Sequence, residues 1–177
     1  MPKKVSKSLA IAAFVFMVIV AGAQQRGHII IADFENDSYG NWKVEGDAFG
    51  SGPPKRIPDA IGKGLVNTSS INSFATGTLT SQPFKVERRY LVFLLGGVTL
   101  PEQVCVNLLQ EGKVVRTATG NNNVHTFRTL EWRFFDLEDL KDKEVQIQIL
   151  DRAKENWEYL MADQFYLSNE VPVEKNL

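Results

Sequence analysis

Hydrophobic and polar residues alternate over short stretches along most of the chain, and turn-forming residues separate these stretches. The pattern predicts eight to ten short strands, and no segment keeps a helical period over ten or more residues. The predicted strands are residues 29–32, 42–45, 65–67, 78–81, 90–95, 104–110, 113–118, 133–136, 144–150 and 159–167, with one helical turn at 137–140. The fold class is therefore all-β. An antiparallel β-sandwich of jelly-roll type is expected, with a closed barrel as the alternative.

Residues 90–95, with the sequence YLVFLL, differ from the other predicted strands because every position is apolar. The run stops at Gly96 and Gly97. A continuous apolar run of this length is typical of a strand that is buried on both faces.

Two neighbouring strands, 104–110 and 113–118, are predicted to form a hairpin around the Glu-Gly pair between them. Counting back from a two-residue loop places Asn107 opposite Arg116, and opposed residues share one face of the sheet. Since their neighbours on that face are apolar or small, two interpretations are open. Arg116 forms an ion pair with an acid of the facing layer, or the two residues form the polar floor of a ligand pocket.

The stretch 33–53 contains five acidic residues and four glycines together with several aromatic residues. This mixture favours a tightly turning surface that holds a cation or a flat polar ligand such as a sugar. Its second half, with Asp47, is expected to border the pocket. Asp151 and Trp157, after the predicted strand 144–150, are further candidate ligand contacts, although a core position is the alternative for the tryptophan.

Three carboxylates define a candidate metal site. Asp33 and Glu35 follow the first predicted strand, and Asp163 lies in the last one. The first and last strands of a sandwich often pair, which would bring these side chains together. Because hard oxygen ligands suit Ca²⁺, a structural calcium ion is predicted here. The alternative is that the acids cap turns or pair with Lys or Arg.

The N-terminal residues have the layout of a secretory signal peptide. Three lysines precede an apolar run at 9–20, and small residues end the segment at Ala23. The run is shorter than the roughly 20 residues that span a bilayer, although an uncleaved anchor is an alternative. We therefore expect a signal peptide at 1–23, one β-sandwich domain at 24–169 and a polar tail at 170–177. The protein is expected to be secreted, periplasmic or on the cell surface.

Composition narrows the possible partners. Cleavage after Ala23 leaves 177 − 23 = 154 residues, with 20 − 3 = 17 basic and 21 acidic side chains and a net charge of −4. This mildly acidic balance gives no electrostatic basis for binding nucleic acid or anionic membranes. Cys105 is the only cysteine, so no intrachain disulfide can form. Its apolar neighbours favour a small buried hydrophobic residue rather than a nucleophile.

The sequence offers little support for catalysis. The chain has two histidines, His28 beside the expected cleavage site and His125 in an asparagine-rich loop. None of the common nucleophile, phosphate-binding or zinc-binding motifs is present. We therefore expect a binding protein and not an enzyme.

Several ordered segments of the chain are similar to a known module. DFENDSYGNWKVEGDAFGSGP, GKGLVNT, TGTLTSQPF and ADQF, together with YLVFLLGG and VCVNLLQEGKVVRTATG, resemble the β-sandwich module found beside the catalytic domains of glycoside hydrolase family 32, the levanases and inulinases. The resemblance covers residues 31–167. It implies a non-catalytic, carbohydrate-binding-like jelly roll from a polysaccharide-degrading bacterium. The catalytic motifs of that family are absent.

The resemblance leads to two hypotheses. In the first, the chain binds fructan or a related polysaccharide through Asn107, Arg116 and Asp47, with Trp157 as a stacking platform. In the second, it is a structural or assembly domain that packs against a glycoside hydrolase without binding sugar. One departure bears on the first hypothesis. Relatives have Gly-Gly-Trp-Gly-His where residues 155–159 read ENWEY, so the tryptophan is kept but the glycines and the histidine are not.

Overall fold

The computed structural model describes residues 27–55, 61–72, 74–121, 130–155 and 157–172. In these ranges the chain forms eleven strands and one 3₁₀ turn at Glu138–Leu140. The strands are Ile29–Ala32 (β1), Lys43–Gly46 (β2), Val66–Asn67 (β3), Gly77–Thr80 (β4), Phe84–Lys85 (β5), Tyr90–Gly97 (β6), Val104–Gln110 (β7), Lys113–Ala118 (β8), Glu131–Asp136 (β9), Glu144–Asp151 (β10) and Leu160–Ser168 (β11). All ten predicted strands are present, with ends that shift by at most two residues, and β5 is additional.

The strands form two antiparallel sheets. The first sheet has the order β1-β11-β6-β9, with β3 also paired to β11. The second has the order β2-β4-β10-β7-β8, with β5 also paired to β10. The two sheets enclose one hydrophobic core, and the fold is an antiparallel β-sandwich of jelly-roll type, as predicted. The pairing of β1 with β11 also confirms that the first and last strands meet.

Aromatic side chains form the centre of the core. Phe93 on β6 and Phe165 on β11 are fully buried and stack with ring centroids 5.1 Å apart and an interplanar angle of 10°. Phe34, just after β1, meets Phe165 edge-on at 6.0 Å. Each such pair contributes about 0.5–1.5 kcal/mol beyond the burial of its apolar area. The stack therefore ties the end of β1 to the middle of the first sheet.

Strand β6 is buried on both faces, as its uninterrupted apolar sequence predicts. One face points into the core, whereas Val92 and Leu94 on the other face are 0% and 3% exposed. They lie beneath four aromatic residues of the same outer face, which we call the outer aromatic layer and which comprises Tyr90, Trp132, Phe134 and Tyr166. Within this layer the rings pack edge-on, at 83° for Tyr90–Phe134 and 72° for Trp132–Tyr166.

The predicted signal peptide at 1–23 lies outside the described residues, as do His125 and most of the predicted polar tail. Within the described ranges, no helix has the length and apolar character needed to cross a membrane.

Candidate functional site at the loop end of the sandwich

The predicted pairing of Asn107 with Arg116 is wrong. The ladder between β7 and β8 shifts register between Leu109 and Leu108, so that Leu108 pairs with Arg116 and Asn107 pairs with Thr117. One extra residue, Val115, accounts for the shift, as expected for a β-bulge. Because opposed residues share a face, the bulge places the Asn107 and Arg116 side chains on opposite faces of the sheet. They do not form a common pocket floor.

Arg116 is engaged at the edge of the sandwich. Its side chain is 32% exposed, and its Nη2 donates to Oδ1 of Asp139 at 2.5 Å. This hydrogen bond lowers the pKa of Asp139. The contact is an ion pair with an acid, which is the first of the two interpretations that the sequence left open, although the partner lies in the 3₁₀ turn.

Asn107 lies on the outer face of the second sheet and is 5% exposed. Its Oδ1 accepts a hydrogen bond from the Thr117 hydroxyl at 2.8 Å, and its Nδ2 donates to Oε1 of Gln148 at 3.3 Å. Register places these three residues in one cross-strand row with Thr80 and Lys43. The amide is thus held by its neighbours in a polar row, and its role as a ligand contact stays a prediction.

Three other predicted contacts, Asp47, Asp151 and Trp157, lie near one end of the sandwich, which we call the loop end. Gly46 pairs with Gly77, and Gly77 pairs with Asp151, so β2, β4 and β10 reach this end in one cross-strand row. Asp47 follows this row directly. Its side chain is exposed, and its backbone N–H donates to the Thr76 carbonyl oxygen at 2.9 Å.

Asp151 holds the loop that follows it. The residue is 3% exposed, and its Oδ1 accepts a hydrogen bond from the Ala153 N–H at 3.1 Å. Burial raises the pKa of this carboxyl, and the Thr68 hydroxyl and the Ala153 N–H oppose the rise. The geometry gives Asp151 a positioning role beneath the surface, and its contact with a ligand stays a prediction.

Two loops run side by side at the loop end. One connects β3 to β4 (residues 68–76) and the other connects β10 to β11 (residues 152–159). At one root, the Thr68 N–H donates to the Leu160 carbonyl oxygen at 3.1 Å, and the Leu160 N–H donates to the Thr68 hydroxyl at 3.2 Å. At the other root, Gly77 pairs with Asp151. The described parts of both loops, which exclude residues 73 and 156, are therefore tied together at both ends.

Trp157 is the most exposed large apolar residue among the described positions, at 68%. Its φ is 77°, a left-handed conformation that bulky residues adopt rarely and at a cost of about 1–3 kcal/mol. The indole is thus displayed to solvent by a strained backbone and does not contribute to the core. Its contact with a ligand stays a prediction, but the expected alternative of a core position does not hold.

A shallow depression lies beside these loops and is lined by Glu45, Gly46, Thr76, Gly77, Thr78 and Arg152. Gly46 has φ +77°, and a Cβ there would lie 2.3 Å from the Thr76 carbonyl oxygen, so only glycine fits. The Glu45 carboxylate is held by Lys43 at 2.8 Å and by the Thr78 hydroxyl at 3.3 Å. The depression thus combines carboxylate, hydroxyl and guanidinium groups, which together donate to and accept from the hydroxyls of a polar ligand.

The acidic residues near β1 are each in a different environment. The Glu35 carboxylate accepts backbone hydrogen bonds from Lys63 at 2.9 Å and Gly64 at 3.3 Å. Oδ1 of Asp33 accepts the Glu35 N–H at 3.2 Å. Nearby, the Lys55 ammonium donates to three backbone carbonyl oxygens, those of Phe34, Glu35 and Asn36, at 2.5–3.3 Å.

Asp163 is the exceptional member of this group because it is fully buried. Its Oδ1 accepts the Gln164 N–H at 2.8 Å, whereas Oδ2 has no hydrogen-bond partner of ordinary geometry among the described residues. Burial, together with the charges of Glu35 and Asp33, raises the pKa of Asp163 to about 7, and the backbone N–H groups of Gln164 and Ile61 oppose the rise. In the described part of the chain, no three such side chains lie close enough to hold a metal by themselves. The orphaned oxygen nevertheless suits a hard cation completed by backbone oxygens.

Sequence reasoning missed Glu45, Thr76, Thr78 and Arg152. Their contribution depends on loops and strand ends that meet only in the folded chain. Glu45 and Thr78 are opposed on β2 and β4, and no local pattern predicts this pairing. The one local signal is the polar composition of the segment that follows β10. It indicated that Trp157 is exposed, but it did not single out Arg152.

The fold is the β-sandwich of carbohydrate-binding modules. The chain is similar to the module TmCBM61, solved in complex with β-1,4-galactotriose, with a TM-score of 0.52 and 19% sequence identity over 78% of this chain and 95% of that chain. A second solved structure, the C-terminal extracellular domain of Mycobacterium tuberculosis EmbC, gives a TM-score of 0.49 and 10% identity over 83% and 63% of the two chains.

A curated relative is also similar in sequence. The chain is 30% identical over 161 residues to the putative glycosyl hydrolase ecdE of Aspergillus rugulosus. The alignment covers 85% of this chain and 22% of that protein, so this chain spans about a fifth of the length of this relative. No protein-family model matches the chain.

The raised pKa of Asp151 leads to a prediction about pH dependence. An unfolded aspartate has a pKa of about 3.9, and the folded-state pKa lies above it. The stability that this carboxyl contributes is thus fully present below about pH 3.9 and is lost as pH rises through the folded-state pKa. We expect Asp151→Asn to gain stability relative to the wild type as pH rises, measured by urea unfolding at acidic and neutral pH.

Asp136→Asn is a control for which the opposite pH dependence of stability is expected. The hydrogen bond from Arg89 lowers the pKa of Asp136, so its stabilising effect is present above the unfolded pKa and is lost as pH falls through the folded-state pKa. This variant should lose stability relative to the wild type as pH rises. If the stability of both variants, relative to the wild type, changed in the same direction as pH rises, the explanation given for Asp151 would be wrong.

Proposed function

We propose that the chain is an exported, non-catalytic carbohydrate-binding module that recognises fructan or a related polysaccharide at the loop end of the sandwich. The observation that carries the proposal is the exposed Trp157 indole in the β10–β11 loop, whose first residue, Arg152, lines the polar depression. An exposed aromatic ring next to convergent polar groups is the arrangement that a sugar requires, because its ring packs on the aromatic face while its hydroxyls need hydrogen-bond partners.

The proposed contacts differ from those first expected. Trp157 provides the apolar platform, and Arg152, Thr76, Thr78 and Asp47 provide hydrogen bonds at the same end of the sandwich. Arg116, which is paired with Asp139, is left out of this site. The solved structure of TmCBM61 with β-1,4-galactotriose supports the sugar class. The choice of fructan is supported only by the resemblance of the sequence to modules of glycoside hydrolase family 32, and export by the N-terminal pattern.

Replacement of Trp157 tests the proposal directly. We expect Trp157→Ala to raise the dissociation constant for the bound sugar at least tenfold, which corresponds to about 1.4 kcal/mol. The measurement is isothermal titration calorimetry with levan, inulin and β-1,4-galactan. Phe134→Ala is the matched control because Phe134 is also an exposed aromatic residue, at 51%, but lies on the outer face of the first sheet. Unchanged binding by Trp157→Ala, or no binding by the wild type, contradicts the proposal.

We further propose a structural Ca²⁺ ion at Asp163, completed by backbone oxygens, with Glu35 and Asp33 as neighbouring carboxylates that complement its charge. The orphaned Oδ2 of Asp163 and the proximity of two further carboxylates support it. When bound, the ion would supply the positive charge that this buried carboxylate otherwise lacks. The ion would join the end of β1 to β11 and have no direct role in sugar contact.

Removal of Ca²⁺ tests this second proposal. We expect EDTA to lower the melting temperature of the wild type and excess Ca²⁺ to restore it, because an ion that binds only the folded state stabilises that state. Asp163→Asn should not respond to either addition, whereas Asp136→Asn, at an exposed acid, should respond like the wild type. A wild-type melt that is the same in EDTA and in Ca²⁺ would show that the carboxylates only cap turns.

A second candidate function is assembly against a glycosyl hydrolase. The outer aromatic layer favours it, since Phe134 is 51% exposed and Ile30 on β1, in the same cross-strand row as Tyr166 and Phe134, is 67% exposed. Contiguous exposed apolar surface of this kind marks sites of protein contact. The putative glycosyl hydrolase to which the chain is similar is much longer than this chain, and the extra length supports a multi-domain context.

Introduction of a negative charge on this layer separates the two functions. If assembly occurs, the wild type should co-elute with a purified fructan hydrolase in size-exclusion chromatography, and Phe134→Glu should not. Val114→Glu is the matched control, because Val114 is 54% exposed but lies on the second sheet. Equal behaviour of the two variants, or no co-elution of the wild type, rejects assembly through this layer. Sugar titration of Phe134→Glu should remain normal.

A further inference from the structure

We infer that the loop end binds an oligosaccharide that extends across both loops, with Phe74 as a second apolar platform. This inference rests on the proposed sugar-binding function and adds the size of the ligand. The neighbouring loop also displays large apolar side chains, since Phe74 is 57% exposed and Ile71 is 61% exposed.

The backbone around Phe74 is held in place. The Phe74 N–H donates to Oδ1 of Asn72 at 3.0 Å, and the Ala75 N–H donates to the Asn72 carbonyl oxygen at 3.0 Å. An Asx turn of this kind fixes local geometry through a side chain. Phe74 is therefore displayed by an ordered turn, as Trp157 is by its left-handed backbone. A contact that is pre-organised loses less conformational entropy on binding.

The two aromatic residues lie at opposite ends of the paired loops. Phe74 is three residues before β4, which belongs to the second sheet, and Trp157 is three residues before β11, which belongs to the first. Packed sheets lie about 10 Å apart, which sets the scale of their separation. That distance is wider than a single sugar ring. One ligand can contact both residues only if it contains several sugar units.

Polar groups that suit a sugar lie at the Phe74 end of the two loops. Thr76 lies two residues after Phe74, and Arg152 begins the partner loop directly after Asp151. Both line the polar depression. A sugar chain that extends from Trp157 across the loops to Phe74 therefore reaches hydroxyl and guanidinium groups at the Phe74 end, which are partners for its own hydroxyls. The arrangement favours an oligosaccharide or an internal polysaccharide segment over a monosaccharide.

The test is the dependence of affinity on ligand length. Wild type, Phe74→Ala, Trp157→Ala and the control Phe134→Ala are titrated with inulin-type and levan-type fructo-oligosaccharides and β-1,4-galacto-oligosaccharides of increasing length. In the series that binds, the wild-type affinity should rise with length and then level off. Phe74→Ala should bind the shortest ligand like the wild type and the longest ligands at least tenfold more weakly. Trp157→Ala should weaken binding at every length.

The outcomes separate this inference from the proposed function. If the wild type binds and Trp157→Ala weakens binding, but Phe74→Ala follows the wild-type length dependence, the two-platform inference is wrong and the binding function stands. A wild-type affinity that does not change with length also overturns the inference. If the wild type binds none of the three series, both fail. Thermal melting of Phe74→Ala, which should match the wild type because the side chain is exposed, verifies that the variant is folded.

Discussion

The position of β11 between β1 and β6 is the constraint on which the rest of the structure depends. Its pairing with β1 brings Asp163 near Asp33 and Glu35, and its pairing with β6 places Phe165 on Phe93 in the core. Its first residues also pair with β3, which fixes the root of the loop that carries Phe74. One strand thus connects the acidic group, the aromatic core and the loop end. A shift of its register by one residue would exchange its core and outer faces.

The two outer faces of the sandwich differ in character. The second sheet presents a row of mutually hydrogen-bonded polar side chains around Asn107, as suits a face in contact with water. The first sheet presents the outer aromatic layer above Val92 and Leu94. Rings that pack edge-on on one another offer no shared flat surface to a sugar. The aromatic layer therefore suits a protein partner better than a sugar, and the loop end is the better place for the proposed carbohydrate ligand.

The strands could be predicted from the sequence because their alternation and turn residues are local signals. The hairpin is an example, since β7 and β8 have the predicted bounds and both residues of the Glu111-Gly112 loop have positive φ. The bulge at Val115 could not be predicted. Val114 and Val115 are identical in chemistry, so the sequence does not say which of them faces the core, and one extra residue moved Arg116 to the other face.

The loop end was predicted only in part because loops carry no periodicity. The polar residues around Trp157 in the sequence indicated that it is exposed. Phe74 and Arg152 belong to the candidate site only because two loops that are distant in sequence are paired in the fold. That pairing follows from strand order, which local patterns do not determine. The orphaned oxygen of Asp163 likewise emerges only when the burial of each carboxylate is known. The sequence therefore identifies candidate site residues, but which of them lie close together is determined by the fold.

The central claim is that carbohydrate binds at the loop end, and NMR mapping tests it most directly. A ¹⁵N-labelled sample of the protein is titrated with the fructan or galactan oligosaccharide, and backbone amide shifts are followed. The account predicts that the largest changes occur at residues 45–47, 74–78 and 152–159, with small changes across the outer aromatic layer. Changes centred on Tyr90, Trp132 and Phe134, or no changes at saturating sugar, would contradict it.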